Sequence, residues 1–254
     1  MVAETLATDT DVVVLGVSSA GVGWAIERLA LSLRKPVPVV MITKGLDGDG
    51  RTIRVLPDVV ASELQRQLGF AVPVAAIGGP CIAGELAARR QTGVVVTSRT
   101  PGLAQVLADM LSTAYYQPRI SDDVIGVEVC AALKNFYAIA VGWANGQLEK
   151  AGPAANGALN HNPAAILFAQ AVMEMAEIVG ALGGDPATAA GMPGAGDLYV
   201  TCQAGRNSRL GRHLGAGHSY GDVKSGPMLG ETIEGAELGI ALAPTLASMM
   251  SSGS

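Results

Sequence analysis

The stretch DVVVLGV (residues 11–17) is a run of β-branched and aliphatic residues that predicts a buried strand. Similar runs begin at Val37, Val72 and Gly93, and residues 113–121 fit a fifth strand. Helical patterns separate them, near residues 21–33, 56–68, 83–88 and 101–112. Because the apolar runs are continuous rather than alternating, they favour parallel strands covered on both faces. The first half of the chain therefore predicts a parallel α/β sheet built from βαβ units.

The pattern changes near residues 121–124, after which strand signals almost disappear. The predicted helices there cover residues 124–146, 163–182, 186–191, 197–202, 207–215 and 231–248. Between the second and third, glycines 183 and 184 end a helix, and Asp185 followed by Pro186 begins the next. We predict two domains, 1–122 and 123–254, that pack directly with a cleft between them.

Composition narrows the class of protein. The 254 residues are 49% hydrophobic and only 15% charged, which is enough apolar material for a sizeable core, and the net charge of −5 disfavours a nucleic-acid surface. Three widely spaced cysteines without a C-x-x-C pair predict neither a disulfide framework nor a metal site. The polar, acidic start is unlike a signal peptide, and the apolar runs are broken short of about 20 residues. We expect a cytoplasmic protein without a membrane span.

Lys134 lies in the middle of an apolar predicted helix. The positions three and four residues away hold no carboxylate; they are Cys130, Ala131, Tyr137 and Ala138. Without a local ion pair to offset burial, this ammonium either reaches out to water or faces a polar site supplied by the rest of the fold.

Three predicted strands end in residues that suit ligand binding: Gly16–Ser19, Thr43–Gly45 and Gly78–Cys81. Each could be an ordinary turn, but parallel strands place all three at one edge of the sheet, where ligands bind in open α/β folds. Lys44 could reach an anion there, and Gly79 would let a ligand approach the backbone closely.

Two segments of the helical half carry further candidates. GAGDL (residues 194–198) lies between helices, so we reject it as a dinucleotide motif, and Asp197 is either a helix cap or a carboxylate near Lys134. After Gly205, four basic residues recur at helical spacing: Arg206, Arg209, Arg212 and His213. They form either a solvated charged face or a site for phosphate near a helix N-terminus.

As an ordered set, these segments resemble the NAD(P)-dependent glycerol-3-phosphate dehydrogenase family over nearly the whole chain. The matching pieces are Thr43–Gly45, Gly79–Leu86, Asp123–Glu128, Ala131–Asn135, Gly183–Pro186, Gly194–Cys202, Gly205–Asn207 and Ile233–Ala236. The family's first strand, glycine loop and helix have no counterpart, because no G-x-G-x-x-G follows the first strand and Gly21-Val22-Gly23 has the wrong spacing. The expected fold is a partial Rossmann-type parallel sheet, lacking its first βαβ unit, followed by an all-α C-terminal domain.

The resemblance implies roles for individual residues. Lys134 matches the proton donor and acceptor at the carbinol carbon, and Lys44 matches a lysine that touches both cofactor and substrate. The other substrate positions match Gly79, Asn135, Asp197, Thr201, Arg206 and Asn207, of which the last two meet the phosphate. The other cofactor positions match Gly79, Cys81, Ala83, Arg206, Thr232 and Glu234. Cys81 departs from the family, where Ser or Thr is more usual.

The resemblance implies interconversion of sn-glycerol 3-phosphate and dihydroxyacetone phosphate, feeding glycerophospholipid synthesis. It implies NAD or NADP as cofactor, and we expect weak binding because the pyrophosphate loop is absent. One alternative is a shortened, inactive relative that serves as a dimerising or binding module, since its open sheet edge invites association. Another is a related reductase acting on a different phosphorylated polyol or a hydroxy acid.

Overall fold

The computed structural model describes residues 10–48, 52–152, 154 and 156–252. Its main sheet has five strands in the order β1-β2-β5-β6-β7. These strands are β1 (Val13–Leu15), β2 (Val39–Met41), β5 (Val74–Gly78), β6 (Thr92–Ser98) and β7 (Tyr116–Ser121). All five predicted strands are present, and β1, β2 and β5 run parallel. The three predicted loops therefore leave the sheet at the same edge.

The helices of this half occupy both faces of the sheet, as predicted. They are α1 (Val22–Ser32), α2 (Leu56–Leu68), α3 (Ala83–Ala87) and α4 (Leu103–Leu111). One face packs against α1 and α2 in a core that includes Val39, Met41 and Leu64. The other face packs against α4, through Val94, Val96 and Leu107. On that second face, two apolar side chains are uncovered: Val14 of β1 is 58% exposed, and Ile42, the residue after β2, is 50% exposed.

The sheet departs from the predicted parallel arrangement at one strand pairing. Strand β6 runs antiparallel to β5, with Ala76 opposite Thr97, and β7 runs parallel to β6. The link from β5 to β6 contains only the five-residue helix α3, about 7 Å long, which is too short to return the chain along β5. The VVV run of β6 indicates that both faces of this central strand are buried, but burial does not determine the direction of a strand.

A two-stranded hairpin, unanticipated from the sequence, follows Lys44. It consists of β3 (Leu46–Gly48) and β4 (Ile53–Val55), paired antiparallel. Its Val55 belongs to the apolar core of the helical half, against which Leu46 and Ile53 also pack. The hairpin thus ties the loop after β2 to the second half of the chain.

The second half is helical, as predicted, with α5 (Val124–Ala151) as its central element. The remaining helices are α6 (His161–Ala181), α7 (Asp197–Gln203), α8 (Arg206–Gly215), α9 (Tyr220–Ser225) and α10 (Glu234–Ser252). A 3₁₀ turn at Pro186–Ala190 is capped by Asp185, whose carboxylate accepts a hydrogen bond from the Ala187 amide at 2.9 Å. The stop-and-restart signal before Pro186 is therefore confirmed.

Helix α5 crosses the sheet and carries Lys134 past its edge. A Cβ on Gly78, the last residue of β5, would lie 2.8 Å from a methyl of Val127 and 3.6 Å from the Cβ of Ala131. Lys134 follows one turn later. The absence of a side chain at Gly78 thus lets the helix lie directly on the end of a central strand.

Helices α5 and α8 approach each other unusually closely. A Cβ on Gly142 would lie 2.4 Å from the Ser208 carbonyl oxygen, and one on Gly211 would lie 2.1 Å from the Ile139 carbonyl oxygen. Only glycine allows this backbone contact. It fixes the start of α8, with Arg206 and Asn207, against the helix that carries Lys134.

Helices α5 and α6 are both long and apolar enough to cross a membrane. The most apolar window of α5 is 78% buried, as in a core helix, whereas that of α6 is 17% buried. Length and composition are weak grounds for a span, because core helices pass the same test. Polar residues interrupt the apolar runs of both helices, Lys134 in α5 and Glu174 in α6, and the absence of a membrane span stays a prediction.

Candidate active site

Two lysines and one aspartate form a buried cluster between the halves of the chain. Lys134 on α5 donates to Oδ1 of Asp197 at the start of α7. Lys44, in the loop after β2, donates to Oδ2 of the same carboxylate at 3.1 Å. Asp197 is 1% exposed, and the side chains of Lys134 and Lys44 are 9% and 20% exposed, so one buried carboxylate binds two ammonium groups of which that of Lys134 is the more buried. Of the two interpretations of Lys134, the structure supports polar surroundings supplied by another part of the fold. Asp197 is the carboxylate beside Lys134 and not a helix cap, since the N-cap residue of α7 is Gly196.

Burial and neighbouring charges shift the pKa values of the two lysines in opposite directions. Burial lowers the pKa of Lys134 to about 8, with the Lys44 charge adding to that effect and the Asp197 carboxylate opposing it. Burial also favours a neutral Lys44, but attraction to Asp197 outweighs it and raises the pKa of that amine. Lys134 is therefore the lysine of this pair that can exchange a proton near neutral pH.

The first two loops of the sheet edge are fastened together. The Thr43 hydroxyl donates to the Val17 carbonyl at 2.8 Å, which joins the loop after β2 to the loop after β1. Gly45 lies so close to the first loop that a Cβ on it would be 3.2 Å from the Ser19 Cβ. Lys44, between Thr43 and Gly45, consequently has a fixed backbone.

The third loop brings Gly79 and Cys81 toward the same cluster. Gly79 has φ +115°, and a Cβ there would meet the Val94 backbone at 3.3 Å, so the turn requires glycine. Burial raises the pKa of the Cys81 thiol, while the charges of Lys44 and Lys134 lower it, which places this side chain within their field. All three predicted loops thus reach the cluster.

A second group of polar side chains surrounds Asn135. Its Nδ2 lies 3.3 Å from Oε2 of Glu234, at the start of α10. Arg206 approaches the other oxygen of Glu234 at 3.9 Å and is about half exposed. Asn207 is buried and accepts a hydrogen bond from the Gly235 amide at 2.9 Å. Because Asn135 directly follows Lys134, this group and the charged cluster share the wall of helix α5.

The remaining predicted site residues lie at different depths. Thr201 is one helical turn after Asp197, and its hydroxyl donates to the Asp197 carbonyl at 2.6 Å. Ala83 begins α3 and is exposed, as is Thr232, two residues before Glu234.

A cavity of about 190 Å³ opens beside the cluster. Its polar lining comes from Ser19, Lys44, Asn135, Glu234 and Glu237, and its floor includes Ala132 of α5. Residues from the sheet edge, α5 and α10 therefore face one space, and Lys44 is the member of the charged cluster that lines it.

Comparison with known proteins identifies the family. The profile described as NAD-dependent glycerol-3-phosphate dehydrogenase C-terminus matches residues 123–249, and the N-terminus profile of the same family matches residues 2–104. The chain belongs to the NAD-dependent glycerol-3-phosphate dehydrogenase family. The resemblance inferred from the ordered motifs is thus confirmed, and with it NAD or NADP as the cofactor of the family.

Individual glycerol-3-phosphate dehydrogenases are also similar to this chain in sequence. The NADP(+)-dependent enzyme of Archaeoglobus fulgidus is 36% identical over 220 residues, covering 87% of this chain and 63% of the relative. The [NAD(P)+] enzyme of Mycobacterium avium is 35% identical over 219 residues, covering 85% of this chain and 59% of the relative. This chain therefore spans about three fifths of the length of these relatives.

A solved glycerol-3-phosphate dehydrogenase has the same architecture. The crystal structure of the Coxiella burnetii protein superposes with a TM-score of 0.77 and 28% identity, covering 96% of this chain and 68% of that one. The Rossmann-type sheet followed by a helical C-terminal half is thus shared with the family.

One buried carboxylate of this family member was missed as a candidate. Glu128 lies on α5 six residues before Lys134 and is 1% exposed. The signal that singled out Lys134 also applies to it, because the positions three and four residues away are all aliphatic: Val124, Ile125, Ala131 and Ala132. Glu128 therefore lacks an oppositely charged helical neighbour, as Lys134 does.

Proposed function

We propose that this site interconverts sn-glycerol 3-phosphate and dihydroxyacetone phosphate. The observation that carries the proposal is the buried Lys134–Asp197–Lys44 cluster beside a polar cavity. Oxidation of a secondary alcohol requires a base for the hydroxyl proton, and a lysine whose pKa is near neutrality is suited to hold it. Lys134 takes that role, and Asp197 orients its ammonium group in the protonated state.

The substrate is recognised at two ends. Arg206 and Asn207, at the first positions of α8, bind the phosphate, since a guanidinium and backbone amides at a helix N-terminus both favour that anion. Gly79, Asn135 and Thr201 line the three-carbon part. Lys44 holds an oxygen of the substrate while paired with Asp197.

The nicotinamide cofactor fits the sheet-edge side of the site. Gly79 has no side chain to block a planar ring, and Lys44 supplies a cation there. Cys81, Ala83, Arg206, Thr232 and Glu234 complete the proposed contacts. The nicotinamide, when bound, supplies or accepts the hydride at the carbinol carbon.

Cofactor affinity is expected to be weak, because no glycine-rich pyrophosphate loop occurs in the sequence. Fluorescence titration of NADH and NADPH into the protein tests this. Affinity in the micromolar range for either nucleotide would contradict weak binding.

The catalytic proposal is tested by following NADH oxidation with dihydroxyacetone phosphate. At NADH concentrations high enough to offset the weak binding, we expect turnover by the parent protein and none by Lys134→Ala, with the circular dichroism spectrum unchanged. Equal turnover by the two proteins would refute the role of Lys134. A panel of other phosphorylated polyols and hydroxy acids, offered in the same assay, separates this substrate from those of a related reductase.

Two further statements belong to this proposal. We place the domain boundary between residues 122 and 123, which the separate ends of the two family profiles support. We also place the protein in the cytoplasm, where its product would enter glycerophospholipid synthesis.

An alternative function is a catalytically inactive module that dimerises or binds another protein. Strand β1 favours it, because this strand lies at one edge of the five-stranded sheet, and an exposed edge readily pairs with another chain. Size-exclusion chromatography combined with the NADH assay distinguishes the two. A dimer without turnover supports the module, and turnover supports the enzyme.

A further inference from the structure

The first turn of α10 contacts both polar parts of the proposed substrate site. Glu234 lies next to Asn135, with 3.3 Å between its Oε2 and the Nδ2 of that residue, and it approaches Arg206 at 3.9 Å. Gly235 donates its backbone amide to Oδ1 of Asn207 at 2.9 Å. The proposed reaction gives roles to the other four residues but leaves Gly235 without one.

The hydrogen bond from Gly235 determines which way the Asn207 carboxamide points. A backbone N–H can only donate, so the carboxamide atom that meets it is the oxygen, and the NH2 group is left for another partner. Among the described residues that NH2 group has no hydrogen-bond partner, and it is not one of the fully buried groups that lack one. It therefore reaches the molecular surface, although Asn207 as a whole is only 8% exposed.

Gly235 is held in place by direct packing on helix α5. A Cβ at this position would lie 2.3 Å from the carbonyl oxygen of Asn135 and 2.7 Å from the amide nitrogen of Phe136. Only a residue without a side chain allows the two backbones to come so close. Because Asn135 directly follows Lys134, the amide that holds Asn207 is fixed to the stretch of α5 that carries the proposed base.

Both partners of this hydrogen bond start from anchored backbones. Ile233, two residues before Gly235, is fully buried in an apolar cluster that also contains Leu210 of α8, three residues after Asn207. The first amides of a helix have no acceptor within that helix, so the Gly235 amide is available to a side chain from elsewhere. Asn207 supplies that acceptor from the neighbouring helix.

We propose that Gly235 is a positioning residue for the phosphate end of the substrate: its amide holds the Asn207 oxygen, so that the Asn207 NH2 group is presented as a donor. A phosphate dianion carries only acceptor oxygens, so a guanidinium and an NH2 group match it, whereas a carboxamide oxygen in the same place would repel it. The proposal rests on the function assigned to Arg206 and Asn207 and deepens it. Gly235 itself is not expected to touch the phosphate.

A double-mutant cycle on sn-glycerol 3-phosphate binding, measured by isothermal titration calorimetry, tests this role. Asn207→Ala removes the donor, and Gly235→Ala pushes α10 away from α5 and breaks the hydrogen bond. Each should weaken binding by about ten- to a hundredfold, the range for loss of a hydrogen bond to a charged group. Because Gly235 acts through Asn207, the double variant should bind no more weakly than Asn207→Ala.

Gly239→Ala is the matched control, one turn further along α10. Its Cβ would also meet α5, but at the ring of Phe136, a side chain that is 43% exposed and can move. This variant should leave the affinity for sn-glycerol 3-phosphate unchanged. If the losses of Gly235→Ala and Asn207→Ala multiplied in the double variant, Gly235 would act independently of Asn207, and the proposal would be overturned.

A measurement on the parent protein covers the case in which Gly235→Ala does not fold. An amide at the start of a helix exchanges quickly with deuterium unless a group outside the helix binds it. By nuclear magnetic resonance, the Gly235 amide should exchange slowly, and sn-glycerol 3-phosphate should shift the resonance of the Asn207 NH2 group. Rapid exchange at Gly235, or an NH2 resonance that does not move, would contradict the role of Gly235.

The two proposals fail in different ways. Turnover of dihydroxyacetone phosphate by the parent, with multiplied losses in the binding cycle, would keep the proposed reaction and remove the role of Gly235. Binding of sn-glycerol 3-phosphate with a shared loss in the cycle, but without turnover, would keep the role of Gly235 and refute the proposed reaction.

Discussion

Lys134 and Asp197 lie 63 positions apart in the chain, yet their side chains form an ion pair that is almost fully removed from water. The pair joins the central helix α5 to the start of α7. Because the same carboxylate also binds Lys44 from the sheet edge, three parts of the chain converge on one aspartate. Asp197 therefore has a structural role that neither lysine has alone.

The first prediction is that loss of the Asp197 carboxylate destabilises the protein more than loss of the Lys134 ammonium group. Asp197→Asn leaves two buried ammonium groups without their carboxylate, and loss of one partner of a buried ion pair costs about 3–5 kcal/mol. Lys134→Met leaves the Lys44–Asp197 pair at 3.1 Å intact and replaces a poorly solvated ammonium with an apolar chain of similar length. Urea denaturation should therefore show a much larger loss of the free energy of unfolding for Asp197→Asn than for Lys134→Met.

Asp47→Asn is the control for this comparison. It breaks an ion pair with Arg54 in which both side chains are largely exposed, so the expected loss is below about 1 kcal/mol. If Asp197→Asn and Lys134→Met lowered the free energy of unfolding equally, the aspartate would contribute no more to stability than Lys134 does.

The sequence predicted the composition of this site but not its connections. Lys134 stood out because its helical neighbours carry no opposite charge, and that signal required no fold. Asp197 had two interpretations until the structure placed α7 beside α5, since a contact across 63 positions depends on tertiary packing. The same limit applies to β6, whose apolar run indicates burial but not direction.

Some elements could not be predicted from the sequence for a different reason. The β3–β4 hairpin has strands of three residues, which are too short to establish an alternating pattern. Glu128 could have been found, because the criterion applied to Lys134 selects it as well. Helix α9, with six residues, carries too few apolar positions to show a period.

The second prediction concerns stability and pH. The pKa of Glu128 rises from an ordinary value near 4.5 to about 8 on folding, so between these values the folded state holds a proton that the unfolded state has lost. Its contribution to stability is complete below about pH 4.5 and declines through pH 8, by up to about 1.4 kcal/mol per pH unit. Lys134 acts in the opposite direction, but only above about pH 8, where its folded-state pKa lies below its unfolded value.

Glu128→Gln removes the pH-dependent contribution of the Glu128 carboxyl to the free energy of unfolding. Urea denaturation at pH 5, 6.5 and 8 should show the variant gaining stability relative to the parent as pH rises. Glu63→Gln, at an exposed position, should leave the parent's pH dependence unaltered. A constant difference between Glu128→Gln and the parent across this range would show that the carboxyl ionises normally.

The third prediction concerns the phosphate of the proposed substrate. Arg206 presents a planar fork at the start of α8, and a lysine there keeps the charge but not the paired donors. Because a charge-assisted hydrogen bond contributes about 1.5–3 kcal/mol, Arg206→Lys should weaken binding of sn-glycerol 3-phosphate by about ten- to a hundredfold in isothermal titration calorimetry.

Arg209→Lys is the matched control, one turn further along the same helix. Arg209 is held by Glu231 at 2.6 Å, so its replacement should leave the affinity for sn-glycerol 3-phosphate unchanged. If Arg206→Lys and the parent bound this ligand equally, the phosphate would have to be recognised elsewhere.

The fourth prediction concerns the contact between α5 and α8. A Cβ on Gly142 would lie 2.4 Å from the Ser208 carbonyl oxygen, so Gly142→Ala forces the two helices apart. Such overpacking costs about 1–3 kcal/mol. Because Arg206 and Asn207 directly precede Ser208, the displacement should also weaken binding of sn-glycerol 3-phosphate.

Gly23→Ala is the control. No heavy atom lies within 4 Å of the added Cβ in that helix, so the free energy of unfolding should instead rise by about 0.5–1 kcal/mol, because alanine favours the helix. Thermal unfolding of both variants, with calorimetry of the ligand, decides the matter: a Gly142→Ala protein as stable as the parent would mean that the close approach of the helices does not set the position of the phosphate-binding residues.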